Sequence, residues 1–472
     1  MPAASRCPVG SCVCWALGPG CRIGRGHWAW GWDLPFWQQA LQDRPGQAMN
    51  RPAPGSLLLQ SGSALAPEVP WGTLPAMWLF VLALCLLAPG QDPPAPQVEL
   101  ESAFGSIQHL PLEGLELADP RDKGAVFLRF LGLPAPTEEA TGLALDLRLG
   151  TGGRLAAFLE GGTEEHLELV LAGGSRCSLG VESLTSLHVP QALEGRDGLP
   201  VASDEGDRLY LVRGGGLDRL EGLTLGFSVQ GILFEGPLGE RLHPWAEVAA
   251  LFIEPLPALE DSQSNAGSEV PTAEITTQGG GAFSAQLLGI TGAGVRLRLA
   301  GEEWLLLPQD VAELAVRDSS YAFLSNLEPA DLGPLNPFDS EVVMGQSWPM
   351  RSNRAVGGGP LRVGGRLFFR GLGVHAPSRV TWKLDGGWSH LRTRIGVDDS
   401  AGRGAHGGSV RFRVLVDGEL RFESDELRVG NAAFVVPPID LVGAQELLLE
   451  VDPLEDWVLD RADWLRPILL KE

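Results

Sequence analysis

Apolar and polar residues alternate with a period of two along much of the last third of the chain. Val380, Trp382 and Leu384 share one face of a segment that stops at the Asp-Gly-Gly triplet beginning at Asp385. A longer segment of the same kind stops at Asp417-Gly418. Its apolar face consists of Val410, Phe412, Val414 and Val416. Strict alternation ended by Asp-Gly is typical of antiparallel strands joined by tight turns, so the pattern predicts an antiparallel β structure here.

Similar alternation recurs three times earlier in the chain, over residues 98–190, 200–256 and 271–318. Each segment has a glycine-rich turn, a pair of alternating apolar strands and a terminal strand. The terminal strands align in steps of 64 and 63 residues. The aligned positions are Leu184, Val248 and Val311. Steps of this length suit compact β units, so we expect about three small β-barrel-like repeat units with an SH3-like or Sm-like topology.

Two further stretches qualify this division. Residues 98–143, in the first segment, are expected to form extra strands that pack on the first unit. Residues 261–268 are rich in Ser, Asn and Gly, which predicts a flexible linker between the second and third units.

The first 90 residues show no sustained helical or strand period until a short apolar run. Residues 1–76 are interpreted as an N-terminal extension outside the folded domains, and residues 77–90 as a signal-peptide h-region, too short to span a bilayer. One hypothesis is that synthesis begins at Met77 or Met49; the alternative is that the run is a buried strand. The first interpretation predicts an exported protein, periplasmic, cell-envelope or extracellular, with no stable membrane span after processing.

Composition and charge narrow the class of protein. With 44% hydrophobic and 20% charged residues, the chain is expected to fold. The formal net charge of −23 argues against nucleic acid as a partner, because phosphate binding needs clustered Lys and Arg. Beyond the apolar run the only cysteine is Cys177, which excludes an internal disulfide there, and the four cysteines nearest the N-terminus lack zinc-ligand spacing.

Three motifs in the C-terminal part carry a family resemblance. They begin at Gly371 (Gly-Leu-Gly-Val-His-Ala-Pro), at Arg394 (Arg-Ile-Gly-Val-Asp-Asp-Ser) and at Asp460 (Asp-Arg-Ala-Asp-Trp). With the opening segment at Tyr321, they resemble the NPCBM family of carbohydrate-binding modules over about residues 321–472. The resemblance implies a galactose-binding-like jelly-roll β-sandwich over residues 319–472 and a glycan or polysaccharide as partner.

The sequence departs from the family pattern at two positions. Asn326 stands where the family usually has Asp, which weakens the case for a cation at that turn. Arg461 stands where the family has His.

His375 and the adjacent pair Asp398 and Asp399 are candidate carbohydrate-binding residues. His375 is either a partly buried side chain bonded to backbone or a donor to a sugar hydroxyl. The two carboxylates either cap a turn or accept sugar hydroxyls or a calcium ion. They do not form a catalytic pair, because neighbouring residues of a strand point to opposite faces.

The remaining candidates are two carboxylates and two indoles. Asp460 and Asp463 either tie the last strand to a neighbour or contact a ligand. Trp388 and Trp457 are candidate platforms for sugar C–H faces, since Trp382 alternates inward. We expect Trp464 to belong to the core. We expect these sites, His375 and the pair at 398–399 to meet at one end of the sandwich, where loops gather distant residues.

The chain lacks the HExxH, GxSxG, GxxxxGK[ST] and SxxK motifs, and its histidines show no ligand spacing. We therefore interpret it as an exported, all-β bacterial protein without catalytic residues, which recognises glycans through its C-terminal jelly-roll β-sandwich. No cofactor is expected beyond a possible calcium ion. The alternatives are a glycoside hydrolase or related enzyme with an unrecognised β-rich catalytic region, and a structural envelope protein.

Overall fold

The structure is a computed structural model whose described residues fall within one compact unit, residues 90–472. The described ranges are 95–135, 140–196, 200–203, 205–254, 270–333, 348–402, 407–454 and 459–471. The predicted N-terminal extension, the h-region and the 261–268 linker lie outside them. No helix among the described residues is long and apolar enough to cross a membrane.

The described chain is almost entirely β, which confirms the predicted class. Its N-terminal β region, residues 95–318, contains 19 strands. They are β1 (Gln97–Ser102), β2 (Ile107–Pro111), β3 (Glu116–Leu117), β4 (Ala125–Leu131), β5 (Leu143–Leu149), β6 (Arg154–Gly162), β7 (His166–Val170), β8 (Arg176–Gly180), β9 (Leu184–His188), β10 (Asp207–Arg213), β11 (Gly216–Phe227), β12 (Gly231–Gly236), β13 (Gly239–Pro244), β14 (Val248–Phe252), β15 (Thr272–Thr277), β16 (Ala282–Thr291), β17 (Gly294–Leu299), β18 (Glu302–Leu306) and β19 (Val311–Val316).

Three successive sets of five strands share one order: β5–β9, β10–β14 and β15–β19. In each set the first four strands form an antiparallel meander, and the fifth returns to pair with the first. A single 3-10 turn precedes each fifth strand. These turns are Val181–Ser183, Trp245–Glu247 and Pro308–Asp310. The aligned residues Leu184, Val248 and Val311 each begin a fifth strand, so the spacing seen in the sequence corresponds to one recurring structural position.

The sets share one apolar core and join through their strands. β9 of the first set pairs with β14 of the second, and β6 touches β16 of the third. The strands that precede the first set are placed differently from the prediction. β4 pairs with β19 and β3 with β16, so they extend the third set and not the first.

The sandwich, residues 319–471, has two main antiparallel sheets and one small hairpin. One sheet has the order β21-β24-β33-β26-β30, with β20 on β33 and β31 on β26; the facing sheet has the order β25-β32-β27-β28, with β29 on β27; and β22 pairs with β23. The strands are β20 (Tyr321–Phe323), β21 (Arg351–Ser352), β22 (Leu361–Val363), β23 (Arg366–Phe368), β24 (Gly371–His375), β25 (Ser378–Lys383), β26 (His390–Val397), β27 (Ser409–Val416), β28 (Glu419–Glu423), β29 (Leu427–Arg428), β30 (Phe434–Val435), β31 (Ile439–Asp440), β32 (Glu446–Pro453) and β33 (Arg461–Leu470). The helical turns not yet given are Pro120–Lys123, Pro190–Leu193 and Leu324–Asn326.

The core of the sandwich lies between its two main sheets and follows the alternation in the sequence. Trp382, Phe412 and Trp464 are at most 1% exposed, and Trp464 meets Phe412 edge to face at 5.0 Å. The predicted apolar faces of residues 380–384 and 410–416 and the predicted core position of Trp464 are therefore confirmed.

A second layer covers the outer side of the first sheet. Successive residues of β33 face opposite sides, so Leu465 points away from Trp464 and packs against the hairpin formed by β22 and β23. This hairpin and the turn before it, residues 353–360, lie beside the end of the sheet at which the candidate site residues are found.

Candidate functional site

Three of the stretches that the sequence singled out meet at one end of the first sheet. His375 at the end of β24 lies opposite Arg461 at the start of β33, and Val397 at the end of β26 lies opposite Ala462. The Ala376 amide donates to the Asp460 carbonyl at 2.9 Å, and the Asp398 amide donates to the Arg461 carbonyl at 2.9 Å. Backbone hydrogen bonds between strands thus fix this end of the sheet.

Glycines allow the neighbouring turn to approach the sheet closely. A Cβ on Gly373 would lie 2.3 Å from the Arg354 carbonyl oxygen, and a Cβ on Gly371 would lie 2.4 Å from the Trp464 carbonyl oxygen. Any larger residue would force the backbones apart. The glycines of this motif therefore serve close packing of the backbone.

Aromatic and cationic side chains form the outer part of this end of the sheet. The indole of Trp348 stacks on the imidazole of His375, with ring centres 5.1 Å apart and an angle of 24°. The Arg461 guanidinium lies 5.6 Å from the centre of the indole and donates to both oxygens of Ser400 at 3.2 Å. Trp348, His375 and Arg461 are all half-buried, so each side chain reaches the surface.

His375 is neutral in this setting. Burial, with a smaller contribution from the Arg461 charge, lowers its pKa below the usual value, although the bond to the Ala376 carbonyl opposes this. Nδ1 lies 2.8 Å from that carbonyl oxygen, which can only accept, so Nδ1 carries the hydrogen. In the neutral ring Nε2 is then an acceptor, suited to a hydroxyl donor.

Asp399 lies at the edge of a surface cleft of about 490 Å³ beside this group. Its two carboxylate oxygens accept from the amides of Gly364 at 3.0 Å and Gly365 at 2.9 Å. The side chain is half-buried, and a carboxylate has about four acceptor positions, so part of its capacity remains for a ligand in the cleft. The cleft is also lined by Arg428 and Gly430.

Asp398 and Asp463 form a pair beneath the surface, with exposed fractions of 2% and 0%. The Asp398 carboxylate accepts from the amides of Arg362 at 3.0 Å and Ser400 at 2.9 Å. Burial, then the charge of Asp398 and a hydrogen bond with it, raise the pKa of Asp463 well above its usual value. Both carboxyl groups therefore belong to the interior of the sandwich.

Asp460 is also buried, with 1% of its surface exposed. Its Oδ1 accepts from the Ser409 amide at 2.9 Å and so ties the start of β27 to the start of β33. Of the four predicted carboxylates, only Asp399 is accessible. The expectation that Asp398, Asp460 and Asp463 contact sugar conflicts with their burial, because a ligand cannot reach their oxygens at the surface.

Of the two predicted indole platforms, Trp388 does not join this group. Trp388 precedes β26, whereas His375, Asp398 and Arg461 lie at the other end of that strand and of β33. The Lys471 ammonium lies 4.8 Å from the centre of the Trp388 ring. Trp388 is therefore at the opposite end of the sheet, and Trp457 lies outside the described residues.

Trp348 is the site residue that sequence reasoning missed. It is a single Trp in a stretch rich in Gly, Pro and Ser, without any alternating neighbours. A large aromatic residue that no local apolar pattern explains is the signal that can identify such a position.

Within the described parts of the chain, no group of three or more His, Cys, Asp or Glu side chains is arranged to hold a metal ion. The calcium ion considered from the sequence therefore has no supporting cluster there, and it remains an expectation from the sequence.

Comparison with known proteins identifies the sandwich. Residues 333–470 match the family model of the NPCBM/NEW2 domain, which confirms the resemblance found in the sequence motifs. Alpha-1,3-galactosidase B of Akkermansia muciniphila is 33% identical over 120 residues. The aligned residues are 24% of this chain and only 14% of the galactosidase. The C-terminal sandwich is therefore an NPCBM domain. The alignment covers only a small part of the galactosidase.

Two solved structures are also similar. The CBM51 module of Clostridium perfringens GH95, in complex with methyl-galactose, is 20% identical; the match covers 32% of this chain and 99% of that module, with a TM-score of 0.27. CBM51-2 of Clostridium perfringens ZmpB, in complex with GlcNAc and with the INT domains, is 22% identical; the match covers 38% of this chain and 36% of that one, with a TM-score of 0.28.

Proposed function

We propose that this protein is an exported glycan-binding protein without catalytic activity, and that its NPCBM domain binds sugar at the end of the sheet where Trp348, His375 and Arg461 meet. The observation that carries the proposal is the contact between these three side chains. An indole presents an apolar surface to sugar C–H groups, while the imidazole and the guanidinium supply an acceptor and donors for hydroxyls.

The polar groups of this site are only partly used by the protein. Arg461 is half-buried and uses Nη1 for Ser400, while its Nε is buried. Asp399, next to Ser400 in the chain, adds a carboxylate with acceptor capacity that its two amide bonds leave unused. Donors and acceptors therefore lie on adjacent residues at one surface, which suits the mixed hydroxyls of a sugar ring.

The match to a galactosidase suggests galactose-containing glycans as the first ligands to test. The affinity expected for one sugar residue is weak, because each hydroxyl exchanges water for protein at a net gain of about 1 kcal/mol. We expect calorimetry to show binding of methyl-galactose in the millimolar range, about −4 kcal/mol.

A pair of tryptophan variants tests the site. Trp348→Ala in the whole protein is expected to weaken glycan binding at least tenfold, about 1.4 kcal/mol, through loss of the apolar contact. Trp388→Ala is the matched control, since Trp388 is also half-buried but lies at the other end of β26. Equal affinities of the two variants would contradict the proposed site.

The absence of catalysis needs its own assay. Glycans that bind should be recovered intact after incubation with the protein, as measured by reducing-sugar release. If the unaltered protein releases sugar and an amino-acid substitution in it abolishes that release, the protein is a glycoside hydrolase instead.

Export is proposed from the apolar run at residues 77–90. The experiment is N-terminal sequencing of the protein recovered from its native source. A mature start after residue 90 supports the proposal, and a start at Met1 or Pro2 contradicts it.

A further inference from the structure

Among the described residues, three arginines beside the proposed site have no carboxylate partner. Most arginines in the described residues are ion-paired, for example Arg154 with Asp146 at 2.6 Å. Arg351, Arg354 and Arg461 bond instead to neutral oxygens, and no described carboxylate lies in ion-pair contact with them.

The three guanidinium groups converge on one turn, residues 355–359. Arg351 Nε donates to the Val356 carbonyl at 2.9 Å, and Arg354 Nη1 donates to the Gly358 carbonyl at 3.0 Å. A Cβ built on Gly357 would lie 3.6 Å from Nη1 of Arg461, and one on Gly358 would lie 3.8 Å from Nη1 of Arg351. The three positive charges therefore border a single small surface.

This cationic turn adjoins the aromatic part of the site. Arg461 contacts the Trp348 ring and faces His375 across the β24–β33 pair, while Arg351 lies opposite Gly373 on the other side of β24. Arg351 and Arg354 are exposed, so their remaining N–H groups are available to a ligand.

The charges around Arg354 are mostly positive. Burial, then the charges of Arg154, Arg148 and Arg351, lower the pKa of Arg354 below its usual value. The Asp146 charge opposes this lowering, but Asp146 is itself paired with Arg154. Charges beyond the Debye length, about 8 Å at physiological ionic strength, contribute little, so the acidity of the whole chain does not cancel the local positive field.

We propose that the glycan bound by this domain carries an anionic group, a carboxylate or a sulfate ester, which sits on the Arg351, Arg354 and Arg461 guanidiniums while a neighbouring sugar ring contacts Trp348. The inference rests on the proposed function of the same site. Guanidinium groups match the planar, two-oxygen geometry of carboxylates and the oxygens of sulfate, and charge-assisted hydrogen bonds are the strong ones. A neutral glycan would add no counter-charge to these three guanidiniums, which have no ion-pair partner among the described residues.

Polymers that differ only in charge provide the test. Affinity electrophoresis and calorimetry of the whole protein would compare polygalacturonate with its fully methyl-esterified form, and κ-carrageenan with chemically desulfated κ-carrageenan. At least one anionic polymer should bind about tenfold more tightly than its neutral counterpart. Raising the salt concentration from about 0.05 M to about 0.5 M should remove most of this advantage. The two pairs show separately whether carboxylate or sulfate is preferred.

Arginine variants link the preference to these residues. Arg351→Gln and Arg354→Gln are expected to weaken binding of the preferred anionic polymer several-fold without lowering the melting temperature. Arg241→Gln is the matched control, because Arg241 is also exposed and also lacks an acidic partner in the described residues, but it lies on β13 of the N-terminal β region. The control should bind like the unaltered protein.

Two results would overturn the inference, and they are distinguishable. In the first, charged and neutral polymers bind equally, and neither salt nor the arginine variants change the binding. This result would contradict the anionic preference but not the proposed glycan binding. Binding of none of the four polymers, nor of any neutral glycan on an array, would remove both proposals.

Discussion

Glu101 on β1 and Arg466 on β33 form a buried ion pair that joins the N-terminal β region to the sandwich. Their exposed fractions are 0% and 1%. Arg466 also pairs with Glu313 of β19, and Glu101 with Arg392 of β26. Around these charges lies an apolar cluster that both parts contribute to. Its members are Val126, Phe127, Ala315, Tyr321, Phe323, Ile468 and Leu470.

Removal of the Glu101 charge is expected to destabilise the whole protein. Glu101→Gln leaves Arg466 and Arg392 buried with too little negative charge, and breaking a buried ion pair from one side costs about 3–5 kcal/mol. The measurement is the free energy of unfolding from urea denaturation, followed in both parts by hydrogen exchange. Glu303→Gln is the control, because the ion pair of Glu303 with Arg298 is exposed and should matter little.

The same junction predicts a response to acid. Burial raises the pKa of Glu101, but the Arg466, Arg392 and Arg394 charges outweigh it and lower the pKa below the ordinary value of 4.5. A carboxyl with a lowered folded-state pKa stabilises the fold above its unfolded-state pKa and loses that contribution as pH falls through the folded-state value. We therefore expect the unfolding free energy to decrease below about pH 4.5 less steeply in Glu101→Gln than in the unaltered protein. Parallel pH curves for the two proteins would contradict this.

Excision of the sandwich tests the junction in another way. Residues 319–471 alone would expose Phe323 and Ile468 to water and leave the charge of Arg466 without Glu101 and Glu313. We expect this fragment to be poorly soluble or to melt well below the whole chain. An excised sandwich with the melting temperature of the whole protein would show that the junction does not stabilise it. For the same reason, glycan binding is best measured on the complete protein.

The buried acid Asp463 predicts a pH dependence of the opposite sign. Its folded-state pKa is raised well above the ordinary 3.8, so above that pH the unfolded chain releases a proton that the folded chain keeps. Stability therefore falls as pH rises toward the folded-state pKa, by up to about 1.4 kcal/mol per pH unit. Asp463→Asn removes the titrating group and should flatten this decline. An unchanged slope between about pH 4 and pH 7 would show that Asp463 is ionised in the fold.

Asp399 and Trp464 provide a contrast between binding and folding. Asp399→Ala is expected to abolish measurable glycan binding without unfolding the domain, since the half-buried carboxylate supports only the amides of Gly364 and Gly365. Trp464→Ala should unfold the domain, because loss of a buried aromatic side chain costs about 3–5 kcal/mol. For both variants, circular dichroism measures whether the domain is folded and calorimetry measures whether it binds glycan. Normal binding by Asp399→Ala would exclude the cleft beside it from the sugar site.

The local pattern of the sequence determined which segments are strands and where they turn. Val410 to Val416 alternate with polar residues and form β27, and the Asp417-Gly418 pair that ends the segment adopts positive φ angles of 49° and 80°. Such features are predictable because side-chain alternation and the preference of Asp and Gly for left-handed turns depend on residues next to each other in the chain. The NPCBM motifs are local in the same sense, since each is a short strand end with its turn.

Which of these residues are accessible at the surface was decided by the tertiary structure. Asp398 and Asp399 are adjacent in sequence, yet one is buried beside Asp463 and the other lines a cleft, because β26 ends at Val397 and the chain enters a turn at Asp399. The stacking of Trp348 on His375 joins residues from different elements. The pairing of Glu101 with Arg466 joins positions 365 residues apart. Contacts of this kind depend on strand order and register across the whole fold, and no short stretch of the sequence carries that information.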